Sequence, residues 1–155
     1  MIKKYIEYIK EDFDTNKKYY HGSYDLLHIG TILKPHDKSY TKINDVQLEE
    51  IMEKYKPKDK LSRYDSVFMV DDIDLIDSAG GSIDFIYLVE PLGKIEKSDL
   101  NWYTEIDMIT PEHNEKLEKK YAENYWNSIP YDDFDSRVFE YRTPSAKIIK
   151  LIEEN

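Results

Sequence analysis

Residues 83–90, Ile-Asp-Phe-Ile-Tyr-Leu-Val-Glu, constrain the fold more than any other part of the chain. The β-branched and aromatic side chains favour extended backbone with burial on both faces, and Pro91 predicts where the strand stops. One such strand is not stable alone, so further strands must pair with it. Candidates are residues 18–23, 66–70 (Ser-Val-Phe-Met-Val), 102–108, 137–142 and 146–152, the last two being two strands or one strand with a bend at Pro144.

Helical spacing alternates with these runs. Ile2, Tyr5, Ile6 and Ile9 predict an amphipathic helix over 2–12, followed by a polar hinge over 14–18. Leu26, Leu27, Ile29 and Leu33, with Gly30 and Pro35, read as a short helical turn and a tight corner, and 36–44 as loop. Val46, Ile51, Met52 and Tyr55 predict a helix over 45–56, closed by Pro57. Asp71-Asp72 offer a cap and dipole-matched charge for a helix filled by Ile73, Leu75, Ile76 and Ala79 and ended by Gly80-Gly81. Thr110-Pro111-Glu112 opens a helix expected to run to Trp126. Helices separate strands early and strands cluster late, which gives an α+β domain with a mixed or antiparallel sheet. The length fits one domain over 1–155: an N-terminal helix within 1–14 and a core over 18–153.

Hydrophobic residues make up 40% of the chain and aromatics 14%, enough to build a core and to exclude global disorder. The 14 tyrosines suit a half-wet cleft as well as a core. A net charge of −10 repels phosphate backbones, so nucleic acid is disfavoured as a general partner, while a basic protein partner suits such a surface. The plain alternative is that the charge only keeps the protein soluble. The absence of Cys removes disulfides, thiolate metal sites and Cys nucleophiles and fits a cytoplasmic protein. No run is apolar enough for a signal peptide or a membrane span.

His21, His28, His36 and His113 have no zinc-binding spacing, and Asp71-Asp72-Ile73-Asp74 lacks the glycine and distal glutamate of a calcium loop. No metal site is expected. Gly80-Gly81-Ser82 does not open a helix as phosphate loops do, and no Ser sits in a nucleophile elbow. What remains is an ordered set of motifs. Tyr20-His21-Gly22-Ser23 is followed by Leu26, Gly30, Leu33 and Pro35, then by Ser66-Val67-Phe68-Met69-Val70. Tyr87-Leu88-Val89-Glu90-Pro91-Leu92-Gly93 comes next, and Glu140-Tyr141-Arg142-Thr143-Pro144 runs into a final apolar strand.

This order resembles the ADP-ribosyltransferase superfamily, and within it the small rifampin ADP-ribosyltransferases. Their pattern begins with Tyr or Leu before His-Gly-Thr and continues Leu-x-x-Gly-x-x-Leu-x-Pro. It then has an Ile-x-Ile-Val-Glu-Pro-x-Gly strand and a late Tyr-Arg. The resemblance covers 19–152 in patches, with 44–59 as a helical insertion. It implies split sheets with flanking helices and a glycosyltransferase that cleaves the nicotinamide–ribose bond of NAD. ADP-ribose would pass to an acceptor, which is a protein, a nucleic acid or a small molecule.

By that resemblance His21 holds an adenosine-ribose hydroxyl, the Gly22 backbone binds the nicotinamide amide and Ser23 completes the motif. Phe68 takes the position of a nicotinamide-stacking Tyr, keeping the ring and losing the hydroxyl; Tyr64 or Tyr87 is the alternative ring. Two carboxylates compete for the acid. Glu140 matches the late-strand Glu of most of the superfamily, and Asp99 matches, after a one-residue shift, the Asp assigned in the rifampin-modifying enzymes. Glu140 is preferred. Each residue also has a plain structural alternative: a turn His, a core Phe, a solvated strand-edge Glu. A second function keeps the fold without the catalysis, as an acidic protein-binding module or inhibitor. Tyr121, Tyr125 and Trp126 then face a partner or, more simply, pack a helix on the sheet.

Overall fold

The computed structural model describes residues 17–35 and 43–155. The helix expected over 2–12 lies outside them, as does most of the loop expected over 36–44. The chain is α+β. Its strands are β1 (Tyr19–Ser23), β2 (Ile32–Leu33), β3 (Val67–Met69), β4 (Phe85–Leu92), β5 (Glu96–Asp99), β6 (Phe139–Thr143) and β7 (Ser145–Glu154). Its helices are α1 (Ile43–Lys54), α2 (Leu100–Ile109) and α3 (Glu115–Trp126). One sheet has the order β1-β4-β7-β2 and the other β3-β6-β5. All pairings among the described strands are antiparallel.

The two sheets meet at their edges. Tyr20 on β1 and Val70 beyond β3 form an isolated antiparallel bridge, with Tyr20 N–H donating to Val70 O at 2.8 Å and Val70 N–H donating to Tyr20 O at 3.0 Å. Period-2 alternation then sorts the side chains into layers. Val67 and Met69 of β3, Tyr87 and Val89 of β4, Tyr141 of β6, and Ala146 and Ile148 of β7 form one buried cluster between the sheets. Leu48 and Met52 of α1, Trp102 and Ile106 of α2, and Ala122, Tyr125 and Trp126 of α3 form a second cluster among the helices. Val70, Ile76 and Ile86 form a third, beneath the segment that follows β3.

Several expected elements differ. Residues 102–108 are helix, not strand: Asp99 caps α2, its side chain accepting from Asn101 N–H, and Trp102 and Ile106 are its buried residues, one turn apart. The β-forming character of Trp, Tyr, Thr and Ile there is overridden by that i, i+4 pair and its cap. Thr110-Pro111-Glu112 forms only a 3-10 turn, because His113 turns left-handed at φ 51° and Asn114 starts α3 afresh, accepting from Leu117 N–H. After Asp72, regular helix is limited to a 3-10 turn over Ile73–Leu75. β4 does not stop at Pro91 but continues to Leu92. β1 pairs with β4 only as far as Val89, so Pro91 sits where β4 is flanked by β7 alone and a missing N–H costs little. β5, Glu-Lys-Ser-Asp, carries no strand signal in its composition; its pairing with β6 makes it a strand.

Candidate functional site

β6 is the middle strand of the three-stranded sheet, and its register decides what lies together. Phe68 and Glu96 both sit opposite Arg142, and Ser98 sits opposite Glu140. Cross-strand partners share a face, so Phe68, Glu96, Ser98, Glu140 and Arg142 all project from one side of the sheet. The helices cover that side.

There the sequence buries an ionic network. Glu140 is 2% exposed, and its Oε1 accepts from both the Tyr125 hydroxyl and Arg63 Nη1. Arg63 arises from the turn Arg63–Asp65 and reaches across to α1, where its Nε donates to Glu49 Oε1 and Oε2 at 3.1 and 3.0 Å. Tyr103 of α2 donates to the same Glu49 Oε1 at 2.9 Å. Fully buried Arg142 donates through Nη1 to Ser98 Oγ at 2.7 Å and to Tyr125 Oη at 2.6 Å. Its Nη1 stands 4.0 Å from Glu140 Oε1, and its Nη2 stands 3.6 Å from Glu96 Oε2.

Rings surround the Arg63 guanidinium. Its carbon lies 4.8 Å from the Phe68 ring centroid, 4.6 Å from Tyr103 and 5.4 Å from Tyr125. Burial alone would lower the Arg63 pKa. Glu140 and the other acidic neighbours, Tyr125, Glu49 and Tyr103, outweigh burial and raise it further above the ordinary arginine range. Burial pushes the Tyr125 hydroxyl well above the ordinary tyrosine range, so it stays protonated and donates to Glu140.

His21 stands at the seam between the sheets. Its Nδ1 lies 2.8 Å from the Phe68 carbonyl, which can only accept, so Nδ1 carries the proton. His21 thus meets Phe68 at its backbone, whereas the Phe68 ring, Arg63 and Glu140 stand together on the helix-covered face of the three-stranded sheet.

The other expected residues have structural partners. A Cβ on Gly22 would stand 2.0 Å from Ser82 O and 2.8 Å from Ile76 Cγ2, so the close approach that glycine permits here is to the chain's own backbone. Ser23 Oγ accepts from Asp25 N–H at 3.0 Å in a local turn. Tyr87 is buried among the apolar residues between the sheets, and its hydroxyl accepts from Leu27 N–H at 2.7 Å. The two competing carboxylates are separated by β5 alternation. Asp99 falls one residue beyond Ser98, and it caps α2. Its Oδ1 accepts from Asn101 N–H at 3.1 Å and Asn101 Nδ2 at 2.8 Å, and its Oδ2 from Tyr131 N–H at 3.0 Å. Of the two, Glu140 alone shares a face with Phe68.

Sequence reasoning missed Arg63, Glu49 and Glu96, and read Tyr125 only as a helix aromatic. One signal was available. The arginines of this lysine-rich chain are Arg63, Arg137 and Arg142, and two of them enter this network. Arg is the cation suited to buried, bidentate and ring-stacked sites, so its rare use marks such places.

Elsewhere, an open depression of about 580 Å³ is lined by Tyr20, Asp71, Asp72, Ile73, Asp74 and Glu153. Tyr20 points to the opposite face of β1 from His21, and the acidic lining repels a pyrophosphate, so this depression is not the expected cleft. Among the described residues no helix is long and apolar enough to cross a membrane. No known family model matches the sequence, and no curated protein matches it either.

Proposed function

We propose that this chain is an ADP-ribosyltransferase that takes NAD at the seam between its two sheets and passes ADP-ribose to an acceptor. The observation that supports the reading is the grouping of the Phe68 ring and the Glu140 carboxylate around Arg63 on one face of the three-stranded sheet, with His21 bonded to the Phe68 backbone at its edge. In this reading His21 engages the adenosine ribose and Phe68 stacks on the nicotinamide ring. Glu140 stabilises the positive charge that develops on the ribose as the bond from C1′ to the nicotinamide nitrogen breaks. The bonding electron pair leaves with nicotinamide. The acceptor nucleophile then bonds C1′ and gives up its proton. Asp99 is given no chemical role, because its carboxylate caps a helix. Gly22, Ser23 and Tyr87 shape β1 and the loop behind it.

One observation favours the second reading, a fold kept as an acidic protein-binding module. The Glu140 carboxylate is already engaged by Arg63 and Tyr125. Incubation with NAD separates the two readings. Release of free nicotinamide, abolished in Glu140→Gln, is the result expected of the enzyme. NAD-induced stabilisation without turnover would favour the module, and neither turnover nor a rise in melting temperature would sink the transferase reading.

A further inference from the structure

Arg63 occupies the place that a ligand's planar cation would need. Its guanidinium lies over Phe68, is flanked by Tyr103 and Tyr125, and is bonded to carboxylates on both sides, Glu49 and Glu140. Three rings and two carboxylates around one flat cation make an aromatic cage. The cage walls come from β3, β6, α1, α2 and α3, whereas the occupant comes from a three-residue turn. We propose that this cage is a binding site for planar cations that Arg63 keeps filled, and that a ligand's cationic ring enters only by displacing the Arg63 side chain.

Three features support displacement rather than a permanent core contact. Of the two arginines in the network, the Arg63 side chain is the more exposed, 12% against 0% for Arg142. Glu140 is not orphaned when Arg63 leaves, because the Tyr125 hydroxyl still donates to it and Arg142 Nη1 remains 4.0 Å away. Glu49 binds Arg63 through Nε, nearer the backbone than the Nη1 that meets Glu140, so it can hold the displaced side chain by its stem. The nicotinamide ring of NAD has the matching chemistry, a flat cation for the cage. That identification of the ligand rests on the function proposed above, whereas the self-filled cage does not. A ligand that binds only the open form has its apparent affinity reduced by the open fraction, so emptying the cage tightens binding.

The test uses the full chain and two variants, Arg63→Ala and Glu49→Gln, with methylguanidinium as the planar cation, methylurea as its neutral isostere, and NAD. In Arg63→Ala, millimolar methylguanidinium raises the melting temperature by several degrees and methylurea does not, while the parent chain responds to neither. The apparent NAD affinity of Arg63→Ala is at least tenfold tighter than that of the parent. Glu49→Gln, which loosens Arg63 without removing it, gives an intermediate response to methylguanidinium. Methylguanidinium binding without NAD binding would uphold the cage and remove NAD as its ligand. A folded Arg63→Ala that ignores methylguanidinium, or responds equally to methylurea, overturns the proposal. Should Arg63→Ala fail to fold, a Glu49→Gln variant indistinguishable from the parent overturns it as well.

Discussion

The two faces of β6 are one residue apart and built on opposite principles. Tyr141 looks into the space between the sheets, among Val67, Met69, Val89 and Ile148, and its ring meets Tyr19 edge-on at 5.1 Å. Glu140 and Arg142 look the other way, into buried charge covered by helices. The apolar face gains from every pair of side chains brought together, whichever they are. The polar face gains little net energy from its ion pairs, since desolvation offsets much of the attraction, but it tolerates few alternative arrangements. The apolar face holds the sheets together; the charged face fixes where Phe68, Arg63 and Glu140 stand.

The sharpest way to break this comparison is to remove a cation from the charged face. Arg142→Ala leaves Glu96 and Glu140 with one fewer compensating charge in a buried setting. It is expected to cost about 4 kcal/mol, read as a fall in the urea midpoint at unchanged slope. Because Arg142 is fully buried, the loss changes little with salt. A loss no larger than that of an exposed substitution would mean that the charged face is not organised around Arg142.

A smaller change probes the opposite face. Tyr87 reaches from the apolar layer to the backbone of Leu27 by one hydroxyl, 2.7 Å from its N–H. Tyr87→Phe keeps the ring and is expected to cost about 1 kcal/mol, the value of one hydrogen bond. The cost should appear together with faster hydrogen exchange at Leu27. An unchanged exchange rate there would show that the loop does not depend on this tie.

The same contrast explains what the sequence disclosed. The apolar layer was readable, because the continuous apolar runs that carry Val67, Met69, Tyr87 and Val89 leave their mark within each segment. Glu140 and Phe68 could be nominated as site residues from motif order. Their company could not, because Arg63, Glu49 and Tyr125 come from a turn and two helices whose approach depends on tertiary packing. Asp99 illustrates the converse. Its carboxylate looked like chemistry while residues 102–108 were read as strand. Once Trp102 and Ile106 are seen one turn apart on a helix, the residue before that helix is a cap. The left-handed His113 that splits 110–126 gave only a weak local signal, since histidine adopts positive φ more often than most residues but far less readily than glycine.

The smallest expected effect is a slope, and it compares the two faces directly. Burial raises the pKa of Tyr125 on the charged face and of Tyr141 on the apolar face, where a hydrogen bond to Asp71 adds to it. Tyr131 is pushed up to about 12, chiefly by its hydrogen bond to Glu105. In each case the folded chain keeps a proton that the unfolded chain gives up near the ordinary tyrosine value of about 10. Over that interval the unfolded state binds fewer protons, so stability falls as pH rises. Stability should therefore show no tyrosine-linked loss below pH of about 10 and decline above it. Tyr125→Phe and Tyr141→Phe each remove one of these raised groups, so each should flatten the alkaline decline of the urea midpoint while lowering its neutral value. Both hydroxyls keep their protons well above the unfolded value, so the two variants flatten it equally; the faces differ in the neutral cost, which is larger for Tyr125→Phe. Its hydroxyl is wholly enclosed, whereas that of Tyr141 reaches the half-exposed pair of Lys17 and Asp71 at the sheet rim. Equal neutral losses in the two variants would place both hydroxyls in the same environment and dissolve the distinction between the faces.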